Sequence, residues 1–290
     1  MRNDTTNDTI VLGAVAYDPK VVTIWDGFKR YFARRGLSFD YVLYSNYERQ
    51  VEALLNGQID VAWNSPLAWI RVQRLAKARG LEVSAFCMRD TDRDNRSVIV
   101  VRAGAGINSV ADLRGATVAV GAIDSPQATL IPLDHLRRDG LTPERDFVVQ
   151  RHELLGGLHG DHVGGERDAA SSLMTGAAQA ACMLEWNYRS FIGDGLFPPL
   201  GTVVLARTDP YDHCNMTAGP AAPQSMVARF RDELLSMDAS DPEVKRLFEL
   251  EGLTKWCEAR LERYGALETA VDALGFYDAR GAILQAEYAY

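Results

Sequence analysis

The sequence lacks any apolar run near the ~18 residues that a membrane-spanning helix requires, so no membrane insertion is expected. It also lacks a cysteine framework. Cys87, Cys182, Cys214 and Cys257 are widely scattered and form no CxxC pair, which suits reduced, mostly buried thiols better than a disulfide scaffold. Positive charge is in deficit: 31 Lys plus Arg against 39 Asp plus Glu leaves a formal −8, whereas a nucleic-acid binder shows a basic domain or stripe. There is no low-complexity tract and no repeat of fixed period. No P-loop, nucleophile elbow or G-x-G-x-x-G follows a strand pattern, and Gly104-Ala105-Gly106 does not extend to such a fingerprint. The first eight residues, Met1 to Asp8, are polar and acidic, without the basic region and ~7–15 apolar residues of a secretory signal. As written, the chain reads as cytoplasmic; it reads as periplasmic or lipid-tethered if a signal was removed.

What is present is ordinary globular material: 47% hydrophobic and 24% charged residues over 290 positions, enough for about two compact units at roughly 150 residues each. Short apolar runs alternate with helical periodicity, the pattern of an α/β fold with a largely parallel sheet. The spacing predicts strands at Ile10–Ala16, Ser38–Leu43 and Ile59–Trp63, and helices over Val22–Arg34, Tyr47–Asn56 and Ser65–Ala78. A second set follows. Ser97–Val101, Ala116–Val120, Phe147–His152, Ala178–Leu184 and Thr202–Arg207 read as strands. Helices are predicted from the Ser125-Pro126 start to about Gly140 and over Ala169–Thr175, and beyond Arg207 the chain reads as helical to its end, including an arginine-rich stretch at Trp256–Arg263. The apolar runs at Ser97–Val101 and Thr202–Arg207 bracket ~100 residues that look self-contained. Two strands enclosing an inserted lobe would make a two-lobe hinge protein, and a single large sheet fits the same periodicity equally well.

Particular residues decide between them. The stretch from Tyr47 to Trp63, with Val51, Leu54, Gly57, Ile59, Asp60 and Ala62 at their spacing, resembles a signature of the phosphonate-binding-protein-like type 2 periplasmic binding proteins, the solute receptors of phosphate and phosphonate ABC importers. Ser97–Arg102, Asp112-Leu113-Arg114-Gly115, the Ser125–Thr129 loop, Arg167-Asp168 followed by Gly176–Ala181, Asp209–Asp212 and Asp241–Leu253 match further features in order. The resemblance covers roughly Ile10 to Trp256. It implies two doubly wound α/β lobes joined by two hinge strands with a ligand cleft between them. Lobe one is then residues 1–102 and 202–290, and lobe two is residues 103–201. It further implies a small anionic ligand and an ABC permease as partners; a monomer or a homodimer fits the sequence.

Such a site needs anion recognition without buried excess positive charge, which helix-start N–H groups and hydroxyls supply. Ser125-Pro126-Gln127-Ala128-Thr129, directly after a strand, has a cap residue, a proline at the favoured first position and a second hydroxyl one turn on. Ser65-Pro66 repeats the arrangement. An ordinary capped helix looks the same. By resemblance, the lobe-one ligand positions are Tyr17, Tyr47, Asn64 and Ser65, and those of lobe two are Ser125, Gln127, Thr129, Arg167 and Glu185. Arg167-Asp168 stands where the family has a His-Asp pair, and the loop carries fewer hydroxyls; arginine can grip a phosphonate, sulfonate or carboxylate in bidentate fashion.

One segment has no family counterpart. Leu154–Glu166 packs His159, Asp161, His162 and Glu166 among five glycines. His159, Asp161 and His162 are candidates for acid–base catalysis, and His159 and His162 for Zn²⁺ or another divalent metal, although no cofactor is required by the family pattern. A flexible glycine-rich connection is the plainer account, since helical spacing such as H-E-x-x-H is missing. His213 beside Cys214 is a weaker candidate of the same kind. Two functions follow: a solute-binding protein closing on a small oxyanion, or a cytoplasmic enzyme of decarboxylase, lyase or hydrolase type on the same scaffold, working through the His159–Glu166 loop.

Overall fold

The computed structural model describes residues 9–153, 156–160 and 163–290. In chain order the elements are β1 (Thr9–Val15), α1 (Lys20–Arg34), β2 (Ser38–Tyr44), α2 (Tyr47–Leu55), β3 (Val61–Asn64), α3 (Pro66–Arg79), β4 (Ser84–Arg89), β5 (Ser97–Arg102), β6 (Thr117–Val120), α4 (Ile131–Arg138), β7 (Val148–Arg151), α5 (Gly164–Thr175), β8 (Ala180–Leu184), α6 (Glu185–Gly193), β9 (Thr202–Arg207), β10 (Asn215–Ala218), α7 (Gln224–Leu235), α8 (Pro242–Glu251), β11 (Trp256–Glu258) and α9 (Gly265–Ala273). Single 3₁₀ turns sit at Asp90–Asp92 and Val110–Leu113, and a π-turn at Pro126–Leu130 runs straight into α4.

The chain divides into two compact units. Unit one comprises the residues up to Arg93, Asp212–Glu262 and Ala279–Ala282; unit two comprises Asp94–Tyr211, Arg263–Asp278 and Ile283–Tyr290. Unit one holds a six-stranded sheet of order β11-β4-β10-β3-β1-β2. β1 pairs parallel with β2 and β3, while β10 lies antiparallel between β3 and β4. Helix α1 forms because Val21, Ile24, Trp25, Phe28, Tyr31 and Phe32 recur on one face, and that face enters the core with Phe39, Met216, Phe230 and Trp256. Each such side chain contributes roughly 1.5–3 kcal/mol on burial.

Unit two holds a five-stranded sheet of order β7-β6-β8-β5-β9. β5 reads as a continuous apolar run because both its faces are covered. Ile99 and Val101 join Leu113, Val120, Leu133 and Leu136 on one side, and Val98 and Val100 join Ala169, Leu173, Phe191 and Phe197 on the other.

Three expectations need correction. The strands expected to link the lobes, Ser97–Arg102 and Thr202–Arg207, pair antiparallel with each other, and the first pairs again with β8, so both are body strands of unit two. The boundaries at 102/103 and 201/202 therefore move to 93/94 and 211/212. The carboxy-terminal segment does not all belong with lobe one either. α9 packs on α4, and the Phe276 and Tyr288 rings meet at a tilt of 59° with centroids 5.2 Å apart, so most of 263–290 joins unit two. Finally, the chain after Arg207 is not wholly helical: β10 and β11 complete the first sheet, and Trp256–Glu258 is a strand paired with β4. Strands of four and three residues are too short to show a period of two. The four cysteines are free thiols, three of them buried.

Candidate functional site

Sheet direction decides where the polar residues gather. In unit one β1, β2, β3 and β4 point the same way, so their carboxyl ends share an edge with the amino end of β10, where Asn215 stands opposite Asn64, and of β11, where Trp256 stands opposite Arg89. The carboxyl edge of parallel strands is where open α/β sheets bind ligands. Tyr17 follows β1, Tyr47 opens α2 after β2, and Asn64 and Ser65 end β3. Ser65 Oγ accepts from the Ala68 amide at 3.1 Å with Pro66 at the first helical position, as the sequence predicts. Asn64 is fully buried; its Nδ2 donates to Thr217 Oγ1 at 2.9 Å and its Oδ1 accepts from Gln50 Nε2 at 3.0 Å. Tyr47 is likewise buried, whereas Tyr17 is half-buried with the Lys20 ammonium 5.8 Å from its ring centroid.

The same edge carries charged residues that the spacing did not reveal. Arg89, at the end of β4, binds Asp92 through Nε to Oδ2 at 2.6 Å and Nη2 to Oδ1 at 2.8 Å, and reaches the Glu251 carbonyl at 2.7 Å and its Oε1 at 3.4 Å. Its guanidinium lies 5.1 Å from the Trp63 ring centroid. Burial and the neighbouring Asp92 push the Glu251 carboxyl up to about 7, against the lowering effect of Arg89. Burial pulls His213 down to about 4, so its imidazole is neutral.

In unit two the carboxyl ends of β6, β7, β8 and β9 share an edge with the amino end of β5. Ser125 caps the π-turn, its Oγ accepting from the Ala128 amide at 3.2 Å, and Thr129 Oγ1 donates to the Ala122 carbonyl at 2.7 Å. The Gln127 carbonyl accepts from Ser97 Oγ at 2.5 Å, and that hydroxyl lies 3.0 Å from Tyr211 Oη. Gln127 Nε2 donates to the Gly160 carbonyl at 2.7 Å and to Glu166 Oε1 at 3.3 Å. Glu166 Oε2 accepts from the Leu184 amide at 2.8 Å and from Asn187 Nδ2 at 2.9 Å. Burial raises the pKa of this carboxyl, partly offset by those donors.

Of the glycine-rich segment, the described Gly160 packs on this turn. A Cβ on Gly160, at φ +72°, would stand 2.6 Å from Ser125 Oγ and 2.7 Å from Gln127 Nε2. Asp124 Oδ2 accepts from the Gly157 amide at 2.9 Å, the His159 amide at 3.1 Å and Tyr288 Oη at 3.3 Å.

Ser125, Gln127 and Thr129 thus come together, and Arg167 and Glu185 do not join them. Arg167 is half-exposed, paired with Asp194 and lying 4.9 Å over Phe191. Glu185 pairs with Arg189 at 3.0 Å and Arg207 at 3.5 Å. His159 is buried, while Asp161 and His162 lie outside the described residues. Among the described residues the only metal-ligand group of three is Asp92, His213 and Cys214, which does not include His159. Sequence reading missed Ser97, Tyr211 and Asn187 and gave Glu166 no ligand or structural role. Glu166 was findable: it shares a helical face with Ala169, Ala170 and Leu173, a charge on an apolar stripe.

Two sheets of this topology, with polar helix starts at their carboxyl edges, define a type 2 periplasmic-binding-protein fold. The family model described as "ABC transporter, phosphonate, periplasmic substrate-binding protein" matches residues 14–264, and the chain belongs to that family. Among solved structures it is similar to PhnD1 from Prochlorococcus marinus (MIT 9301) in complex with methylphosphonate, at 14% identity, covering 92% of this chain and 98% of that one with a TM-score of 0.69. It is similar to XAC2383 from Xanthomonas citri bound to ATP, at 17% identity, 92% and 98% coverage and a TM-score of 0.71. The periplasmic aliphatic sulphonate binding protein SsuA from Escherichia coli matches at 18% identity, 91% and 83% coverage and a TM-score of 0.55. No helix among the described residues is long and apolar enough to cross a membrane.

Proposed function

We propose that the chain is the solute receptor of an ABC importer, working in the periplasm or tethered to lipid after processing. Its ligand is a small oxyanion: a phosphonate, phosphate, sulfonate or similar organic anion. The observation that carries this reading is the pair of Ser-Pro helix starts at the carboxyl ends of β3 and β6, in a chain whose family binds solutes for import. Helix-start amides supply positive potential without a cationic side chain, so a chain of net charge −8 can still take an anion. Tyr17, Ser65, Ser125, Gln127 and Thr129 are the residues assigned to ligand recognition, with Tyr47 and Asn64 holding the unit-one strand ends. Bound ligand stabilises the native state by mass action. A thermal-shift series with methylphosphonate, phosphate, an alkanesulfonate and a carboxylate, each confirmed by calorimetry, tests the reading. At least one oxyanion is expected to raise the midpoint, and Thr129→Val and Gln127→Ala to weaken that ligand by about tenfold, the loss of one charged hydrogen bond. If none of the four anions shifts the midpoint at millimolar concentration, the oxyanion reading is wrong.

A further inference from the structure

Asp92, His213 and Cys214 come from two segments that the fold brings together, the 3₁₀ turn after β4 and the residues leading into β10. The His213 amide donates to the Asp92 carbonyl at 2.8 Å and the Cys214 amide to Asp92 Oδ1 at 3.2 Å, which fixes one segment on the other. Three different donor atoms then converge. His213 Nδ1 is 3.0 Å from Cys214 Sγ and 3.6 Å from Asp92 Oδ1, and all three atoms lie within 4.8 Å of one another. Bond lengths of roughly 2.0–2.3 Å at tetrahedral angles put zinc ligands about 3.3–3.6 Å apart, so these side chains need to move by ~1 Å or less.

Charge points the same way. Asp92 lies against the Arg89 guanidinium, which Glu251 shares, and a Cys214 thiolate would add an anion beside them that a divalent ion neutralises. Thiolate, imidazole and carboxylate together suit a borderline-soft ion better than Mg²⁺ or Ca²⁺, which favour all-oxygen sites. Arg89, bonded to Asp92 Oδ2 at 2.6 Å through Nε and to Oδ1 at 2.8 Å through Nη2, is an outer partner that orients the carboxylate, and the ion takes the place of the Nη2 bond on Oδ1.

We propose that Asp92, His213 and Cys214 form a binding site for a divalent cation of the zinc class. The thiol S–H bond breaks, its proton leaves to solvent, and sulfur, the His213 Nδ1 lone pair and Asp92 Oδ1 bond to the ion; Arg89 then rests its weight on Oδ2. The site is independent of the oxyanion reading and stands on residues apart from His159 and His162.

Chelator-treated full-length protein is titrated with Co²⁺ and Zn²⁺. One equivalent is expected to bind with release of one proton, and Co²⁺ to show a thiolate charge-transfer band that Zn²⁺ removes. Cys214→Ser is expected to abolish the band, and His213→Ala to weaken affinity at least tenfold, with Cys257→Ser unchanged. Alkylation of the unaltered protein, mapped by peptide mass, supplies a readout that needs no variant: Zn²⁺ slows modification of Cys214 and leaves Cys257 as before. Absence of the band, its survival in Cys214→Ser, or an unchanged Cys214 alkylation rate overturns the proposal.

Discussion

Each sheet buries acids at its carboxyl edge, and the two edges hold them by different physics. In unit one Asp92 is clamped by Arg89 through two charged hydrogen bonds, and Glu251 leans on the same guanidinium. In unit two the recorded hydrogen bonds to Glu166 all come from neutral donors: Gln127, the Leu184 amide and Asn187. An ion pair holds its charge across a wide pH range; a carboxylate held by amides keeps its charge only while pH stays above its raised pKa. The Asp92–Arg89 pair is therefore the electrostatically fixed element of unit one, while the charge on Glu166 in unit two follows its surroundings, as does that on Glu251 beside the pair. One of these unit-two donors, Gln127, is also a group proposed for the ligand, so under that proposal an oxyanion would compete with Glu166 for it.

The sharpest test of this contrast removes the cation from one edge and the acid's charge from the other. Arg89→Ala leaves Asp92 buried without its cation and is expected to cost about 3–5 kcal/mol in urea unfolding. Glu166→Gln, which keeps an acceptor for the Leu184 amide and Asn187, is expected to cost only ~1 kcal/mol. Equal costs would dissolve the distinction between the edges.

The next largest effect is in pH. Glu251 titrates near 7 when folded against about 4.3 unfolded, so the native state holds the extra proton, and this group's stabilisation is complete below the lower value and lost as pH rises through 7. His213 runs the other way: at about 4 folded against roughly 6.5 unfolded, it contributes stability above 6.5 that disappears as pH falls through 4. The two oppose each other between those limits. Relative to the unaltered protein, Glu251→Gln should therefore gain about 2.5 kcal/mol at pH 8 over its difference at pH 5, read from unfolding at each pH. A difference that does not change with pH assigns the dependence to another group.

Legibility followed the length of the local pattern. Helices α1, α3 and α8 were readable because apolar stripes and caps repeat over three turns, and Ser65-Pro66, Ser125-Pro126 and Asp241-Pro242 announced their starts. Strands β10 and β11 were not, because their residues are defined by partners far along the chain. The unit boundary failed for the same reason: β5 and β9 read as strands, and only their pairing shows that both belong to one sheet. At the site, the Ser125–Thr129 turn was visible as a local motif. Arg89, Asp92, Glu251, Ser97 and Tyr211 acquire their roles only through long-range contacts, and Arg167 was drawn into the ligand set by its place in a motif while its side chain turns to Asp194.

A smaller effect probes the packing of the glycine-rich segment. Gly160→Ala puts a side chain at φ +72° and against the Ser125 and Gln127 polar atoms. It is expected to cost about 1–3 kcal/mol and to weaken oxyanion binding along with stability. Gly104→Ala has a similar positive φ but nothing within 4 Å of the added carbon, and should lower stability without touching affinity. If the two behave alike, the packing of Gly160 on the unit-two turn has no part in recognition.

Arg167 closes the series as the counterpart of Arg89. Both guanidinium groups meet a carboxylate and an aromatic ring, yet Arg167 and Asp194 are each nearly half-exposed, with side-chain accessibilities of 45% and 46%. Water screens the pair, and exposed pairs of this kind contribute about 0–1 kcal/mol. Arg167→Ala should therefore shift the unfolding midpoint barely at all, against the large loss from Arg89→Ala, and its effect should shrink further as salt shortens the Debye length. Oxyanion affinity is expected to stay within about twofold, since the side chain is committed to Asp194 and Phe191. A tenfold loss would instead return Arg167 to the ligand, and with it the notion that unit two binds anions without a cationic side chain would fail.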